Sequence, residues 1–225
     1  MSSPVVVIGG YGAGLGSGLA DVFSAAGYRV AALSRRGSEH GGALNLACDL
    51  TEPEAVRSAV DNVIEQLGPI DVFIHNVAAI HIGPFLETPP ERFEAVWRAS
   101  VLSAVRCAQA VLPGMLERGG GTLLFSGATA ALKGGKNFAA FASAKFALRA
   151  LAQSLAREYQ PQGIHVAHVI LDGLIGGTAS VERFGANEDQ VIKPHEAAKT
   201  YLALVGQDRS AWTQEIDLRP YVENF

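Results

Sequence analysis

Near its N-terminus the chain runs PVVVIGGYGAGLG (4–16), a β-branched apolar stretch that breaks at once into glycine. The apolar part has the length of a strand, too short for a helix, so the spacing predicts a strand buried on both faces. Leu15, Leu19, Val22, Phe23 and Ala26 then recur at helical spacing, with Gly27 as the stop. A strand buried on both faces and followed by a helix requires a sheet with helices packed on either side. That requirement removes most other architectures.

The rest of the chain keeps the same rhythm. RVAALS (29–34), ALNLACD (43–49), IDVFIHNVA (70–78), GTLLFSGA (121–128) and GIHVAHVIL (163–171) read as further strands, with EIDLRP (215–220) as a short last one. Capping-box patterns at Thr51–Glu54 and Thr88–Glu91 open two helices, the second of them long. Another helix is expected over 138–159 and one near 194–206, while 174–193 should be irregular and carry the substrate segment. The reading is an α/β protein: a single-domain, Rossmann-type doubly wound parallel sheet spanning 1–225, with helices on both faces.

Composition narrows the function. With 225 residues, 48% of them hydrophobic and 18% charged, the chain suits one well-buried domain. A formal net charge of −4, and no basic run longer than Arg35-Arg36, argue against nucleic acid as a partner. Cys48 and Cys107 lack metal or redox spacing and are expected as reduced, buried thiols. The N-terminus lacks a signal pattern and no apolar run suggests a bilayer span, so the expectation is a soluble, cytoplasmic protein without membrane or metal partners.

Parallel sheets bind ligands at the carboxyl ends of their strands, so the site is sought there. Glycines after the first strand let the backbone approach a pyrophosphate, and the following helix N-terminus presents free N–H groups. After the second strand stand Ser34, Arg35 and Arg36, with no carboxylate before Glu39. A carboxylate there suits the ribose hydroxyls of NAD, whereas arginine suits a 2′-phosphate, so NADP(H) is favoured over NAD(H).

These features make the chain resemble the short-chain dehydrogenases/reductases along its whole length. Gly10, Gly14 and Gly16 match the family's T-G-x-x-x-G-x-G, with Gly9 at the threonine; Leu15 lies within that turn. Asp49-Leu50 matches the D-[VL] after the third strand, and HNVA (75–78) matches N-N-A-G through Asn76, with Ala78 at its end. Asp172-Gly173 falls near the usual Pro-Gly, followed by Ile175, and Lys145 falls at the lysine of Y-x-x-x-K. The resemblance implies an adenine contact for Asp49 and a nicotinamide-ribose contact for Lys145. It also implies a homodimer or homotetramer paired through the 91–112 and 141–158 helices, with Trp97, Leu102, Leu148, Leu151 and Leu155 supplying apolar surface.

The resemblance also implies a Tyr–Ser–Lys–Asn centre. Here the tyrosine position is Phe141, the serine position Ala128 and the asparagine position Ser100, leaving Lys145. Phenylalanine has no proton to give, and losing a positioned acid forfeits roughly 10²–10⁴ in rate. Ser126, Thr129, His81 and Asp172 are candidates to supply the missing group, each with a plainer role as a loop or backbone-bonding residue. Ile80, Ile82, Phe85, Phe138, Phe141 and Phe184 would favour a small apolar or aromatic substrate, carbonyl or conjugated. Two functions follow: an NAD(P)(H)-dependent oxidoreductase with a non-standard centre, or a catalytically silent NADP(H)-binding sensor or partner protein.

Overall fold

The computed structural model describes residues 3–37 and 41–223, which leaves Glu39 outside it. Seven strands form one parallel sheet in the order β3-β2-β1-β4-β5-β6-β9. They are β1 (Val5–Gly9), β2 (Arg29–Ser34), β3 (Leu44–Ala47), β4 (Val72–His75), β5 (Gly121–Ser126), β6 (Ile164–Leu171) and β9 (Glu215–Leu218). The helices are α1 (Leu15–Ala25), α2 (Pro53–Leu67), α3 (Pro90–Trp97), α4 (Ser103–Glu117), α5 (Ala139–Tyr159), α6 (Ala179–Phe184) and α7 (Pro194–Val205). The strand order reverses between β1 and β4, and that crevice is where a doubly wound sheet takes its ligand.

Both faces of the sheet are dry. Val5, Val7, Leu123 and Phe125 face α2, α4 and α5 through Val60, Cys107 and Leu148. Val6, Ile8 and Leu124 face α1 and α7 through Leu19, Phe23 and Tyr201. The α1–α7 contact is set by Gly18, where an added Cβ would lie 2.8 Å from the Pro194 backbone. Both cysteines are free and buried, as expected.

Several expectations need correction. Neither capping box forms: the Thr51 hydroxyl bonds Asp49 at 2.7 Å and the Thr88 hydroxyl bonds the Pro84 carbonyl at 2.8 Å. Each helix instead begins with proline at its start, whose missing N–H is no loss there. The segment 174–193 is not irregular throughout, since β7 (Leu174–Ile175) pairs in parallel with β8 (Val191–Ile192) and α6 lies between them. The run Pro90–Glu117 has, by length and mean hydropathy (1.3) alone, the composition of a bilayer span, a feature the sequence reading did not register; half of that apolar window is buried inside the protein, and a buried core helix has the same composition. Leu148, expected at a partner interface, is fully buried against the sheet.

His75, at the end of β4, is fully buried. Ser103 gives its own proton to the Ala99 carbonyl (2.5 Å), so His75 Nε2 is the donor in the 2.8 Å contact between them. Burial, with the nearby Lys145 charge, pushes the imidazole down to about 3. The unfolded chain therefore takes up a proton that the native state refuses, and stability falls as pH drops below 6.5. By pH 4 this histidine alone should cost roughly 3 kcal/mol. His75→Asn is expected to flatten the acid limb by about that amount in urea unfolding between pH 7 and pH 4.

Candidate functional site

The phosphate turn is built from backbone that tolerates no side chain. Gly10 has φ +83°, and a Cβ there would lie 2.7 Å from the Asn76 carbonyl oxygen. Gly14, at the N-cap of α1, has φ +84° and faces Thr178 Cγ2 at 2.7 Å from the same hypothetical atom. Gly16 packs on the Tyr11 backbone, and Leu15 beside it is buried. The amides of Gly10 and Tyr11 both bond the Leu33 carbonyl (3.0 and 2.9 Å), which ties the turn to β2.

Beside this turn lies a cavity of about 450 Å³ at the carboxyl ends of the strands. Its walls include Ser34, Arg35, Asp49, Leu50, Asn76 and Ala78. Arg36 is exposed beside it but is not part of the wall. Hydrogen bonds from the Thr51 hydroxyl and amide, then the Arg35 and Arg106 charges, hold Asp49 below the usual carboxylate range. The sequence reading missed Cys48, Thr51, Ala99 and Ser103, which also line the cavity. Thr51 was detectable, because Asp-x-Thr is the pattern of an Asx turn. Burial and the neighbouring Asp49 push the Cys48 thiol up to about 11, which keeps it protonated at neutral pH.

Lys145 lies on α5 with its side chain 2% exposed. Its ammonium donates to the Ser126 carbonyl at 2.9 Å and to the Val77 carbonyl at 3.3 Å, which leaves one of its three N–H groups over. Burial lowers it from 10.5 to about 8. The Phe141 ring centroid is 5.8 Å from Nζ, and that ring packs with Ala128, Ala130, Phe138 and Ala142.

The other candidates separate. Ser126 shares strand parity with Leu124, and its hydroxyl meets that of Tyr201 (2.8 Å) on the α7 face, away from α5. His81 Nε2 contacts Thr88 Oγ1 at 3.2 Å, within its own loop. Ser100 sits in a widened π-type turn between α3 and α4, fully buried, its Oγ without a protein partner. Thr129 donates to Asp172 Oδ1 at 2.5 Å, so Asp172 serves there as an acceptor, not a proton source. Gly173 packs on Pro220, and Ile175, in β7, accepts a bond from Thr178, the residue that abuts Gly14. Ile80, Phe85 and Phe184 are exposed around this end, with Ile82 and Phe138 partly buried. A second concavity, of about 460 Å³ and lined by Arg209 and Trp212, lies at the amino end of β6, away from these groups.

A reversed strand order, a backbone cradle that any Cβ would fill, and a cavity beside it define a dinucleotide-binding α/β protein. A family model described as short chain dehydrogenase matches residues 4–189. The chain belongs to that family of oxidoreductases. The 3-oxoacyl-(acyl-carrier-protein) reductase MabA of Mycobacterium avium is 30% identical over 175 residues, which are 78% of this chain and 68% of that protein. The 1-deoxy-11-beta-hydroxypentalenate dehydrogenase of Streptomyces exfoliatus is 33% identical over 205 residues, 88% of this chain and 73% of its own. A solved short-chain dehydrogenase from Rhodopseudomonas palustris superposes with a TM-score of 0.84 at 35% identity, covering 97% of this chain and 99% of the other.

The residues fit a dinucleotide: the glycine turn would take the pyrophosphate and Asp49 and Leu50 the adenine, while the one N–H left on Lys145 would serve either the nicotinamide ribose or a substrate oxygen, not both at once. Holding Lys145 charged in the interior costs stability. The native group binds its proton less tightly than the unfolded one, so stability rises with pH between about 8 and 10.5. Below pH 8 the full cost, roughly 3 kcal/mol, is present. Lys145→Met should therefore gain about 1–2 kcal/mol at pH 7, after two lost hydrogen bonds are counted, and lose about 1–2 kcal/mol by pH 10.5, where only those lost bonds count. Urea unfolding at the two pH values checks this.

Proposed function

We propose that the protein is an NADP(H)-dependent oxidoreductase acting on a small apolar or aromatic carbonyl or conjugated compound, with Lys145 supplying the proton. The observation that carries the reading is the buried ammonium, lowered to about 8, with one N–H unspent beside a residue, Phe141, that has no hydroxyl. An acid works best with its pKa near the operating pH, and burial brings this lysine there. The bound nicotinamide supplies or accepts the hydride. The protein's part is to orient, exclude water and hold the proton. Phe138, Phe141, Ala128 and Ala130 make the dry wall, and the exposed Ile80 and Phe85 extend it outward. Arg35 in the cavity wall, beside Ser34, supports a 2′-phosphate and hence NADP(H).

The apolar cluster around Phe141 also supports a second reading, a silent NADP(H)-binding sensor or partner protein, because no hydroxyl stands at positions 128 or 141. Exposed Trp97 on α3 and Phe146 on α5 support a homodimer or homotetramer in either case.

Stopped-flow oxidation of NADPH with a panel of enals and ketones separates the readings. The oxidoreductase reading expects turnover that declines above pH 8, as Lys145 loses its proton, and that Lys145→Met abolishes. Background rates across the whole panel, together with tight NADPH binding, would favour the sensor. Phe141→Tyr with Ala128→Ser should then raise ketone reduction by about 10²-fold or more if the geometry is intact. For the cofactor, Arg35→Ser should weaken NADPH by roughly tenfold or more and leave NADH within about twofold, read by fluorescence titration.

A further inference from the structure

The carboxyl ends of β5, β6 and β9 carry a chain of polar groups. Thr129 follows Ala128 and is partly exposed, while Asp172 beneath it is 4% exposed. The Thr129 hydroxyl donates to Asp172 Oδ1 at 2.5 Å, and Asp172 Oδ2 pairs with Arg219 at 3.4 Å. Arg219 also pairs with Asp217. An ionised carboxylate only accepts hydrogen bonds, so the one proton on Thr129 Oγ1 is committed inward. The oxygen keeps its lone pairs, and the residue is partly exposed beside Ala128.

We infer that Thr129 is a ligand contact that accepts a hydrogen bond, so that the site holds the hydroxyl-bearing, reduced member of its substrate pair more tightly than the carbonyl member. The inference rests on the oxidoreductase reading and adds to it the polarity of the site. An alcohol or enol O–H donates to Thr129. A ketone oxygen in the same place sets two acceptors against each other, with no proton between them. Asp172 fixes that polarity and is a positioning residue. An asparagine in its place turns the polarity over, because its amide can donate to Thr129 and return the hydroxyl proton to the ligand side. Arg219 retains Asp217 in that variant.

The test uses calorimetric titration with two pairings that cannot react: 1-phenylethanol into the NADPH-saturated protein, and acetophenone into the NADP⁺-saturated protein. The alcohol-to-ketone affinity ratio is compared between variants, so the difference in cofactor state cancels. Thr129→Val should lower the ratio by about five- to tenfold, the worth of one hydrogen bond, and Thr129→Ser should keep it. Asp172→Asn should lower it further, with the ketone gaining affinity outright. A ratio unchanged in Thr129→Val, or a ketone no tighter in a folded Asp172→Asn, overturns the inference. So does failure of both probes to bind the wild-type protein. Titration with NADPH alone and the turnover assays judge the oxidoreductase reading separately. If Asp172→Asn fails to fold, the valine and serine variants at 129 still decide.

Discussion

The ends of β4 and β5 are joined by a charge. Lys145 reaches from α5 to the Val77 and Ser126 carbonyls, which lie just past β4 and at the end of β5. An ammonium buried this deeply is tolerated only when its protons are taken up, and here two backbone oxygens do so. The same charge helps to keep His75 neutral. Helix α5, the strand ends and the histidine core therefore share one electrostatic condition. Removing the lysine relieves a cost in stability and, under the proposed reading, removes the proton donor, a conflict familiar where function strains a fold.

A second constraint works through absence of side chains. Gly10 meets the Asn76 carbonyl, and Gly14 meets Thr178, at distances that no Cβ could share. Thr178 in turn bonds Ile175, so the segment after β6 rests on the phosphate turn itself. The segment after β6 and the glycine turn are in direct contact, and their positions are coupled through that packing.

The strand–helix rhythm was legible because the central strands are mostly apolar along their length and the helices between them carry apolar residues at helical spacing. The same property hid the face of each strand. Ser126 lies between Phe125, packed toward α5, and the turn beyond; in a strand buried on both sides nothing in the residue pattern says which way its hydroxyl points. The capping boxes failed for a local reason, since Thr51 and Thr88 found nearer acceptors in Asp49 and Pro84. The widened turn at Ser100 leaves no mark in composition, and the β7–β8 pair is two residues long on each side, below what periodicity can register. Glycine spacing and Lys145 were readable. The partners of the site hydroxyls were not, because they are set by tertiary contacts up to 75 residues apart.

Those partners decide what the site can give. Thr129 spends its proton on Asp172, Thr88 on Pro84 and Ser103 on Ala99, while Ser126 is paired with Tyr201 on the opposite face of the sheet. Burial pushes the Tyr201 hydroxyl up, so it is a poor acid as well as a distant one. Ser100 keeps its proton but is fully enclosed. Of the groups gathered at this strand-end crevice, Lys145 combines an unspent N–H with a pKa brought near neutrality. Under the proposed reading, this proton inventory leaves Lys145 as the donor, and a ligand that brings its own O–H would fit the acceptor that Thr129 keeps.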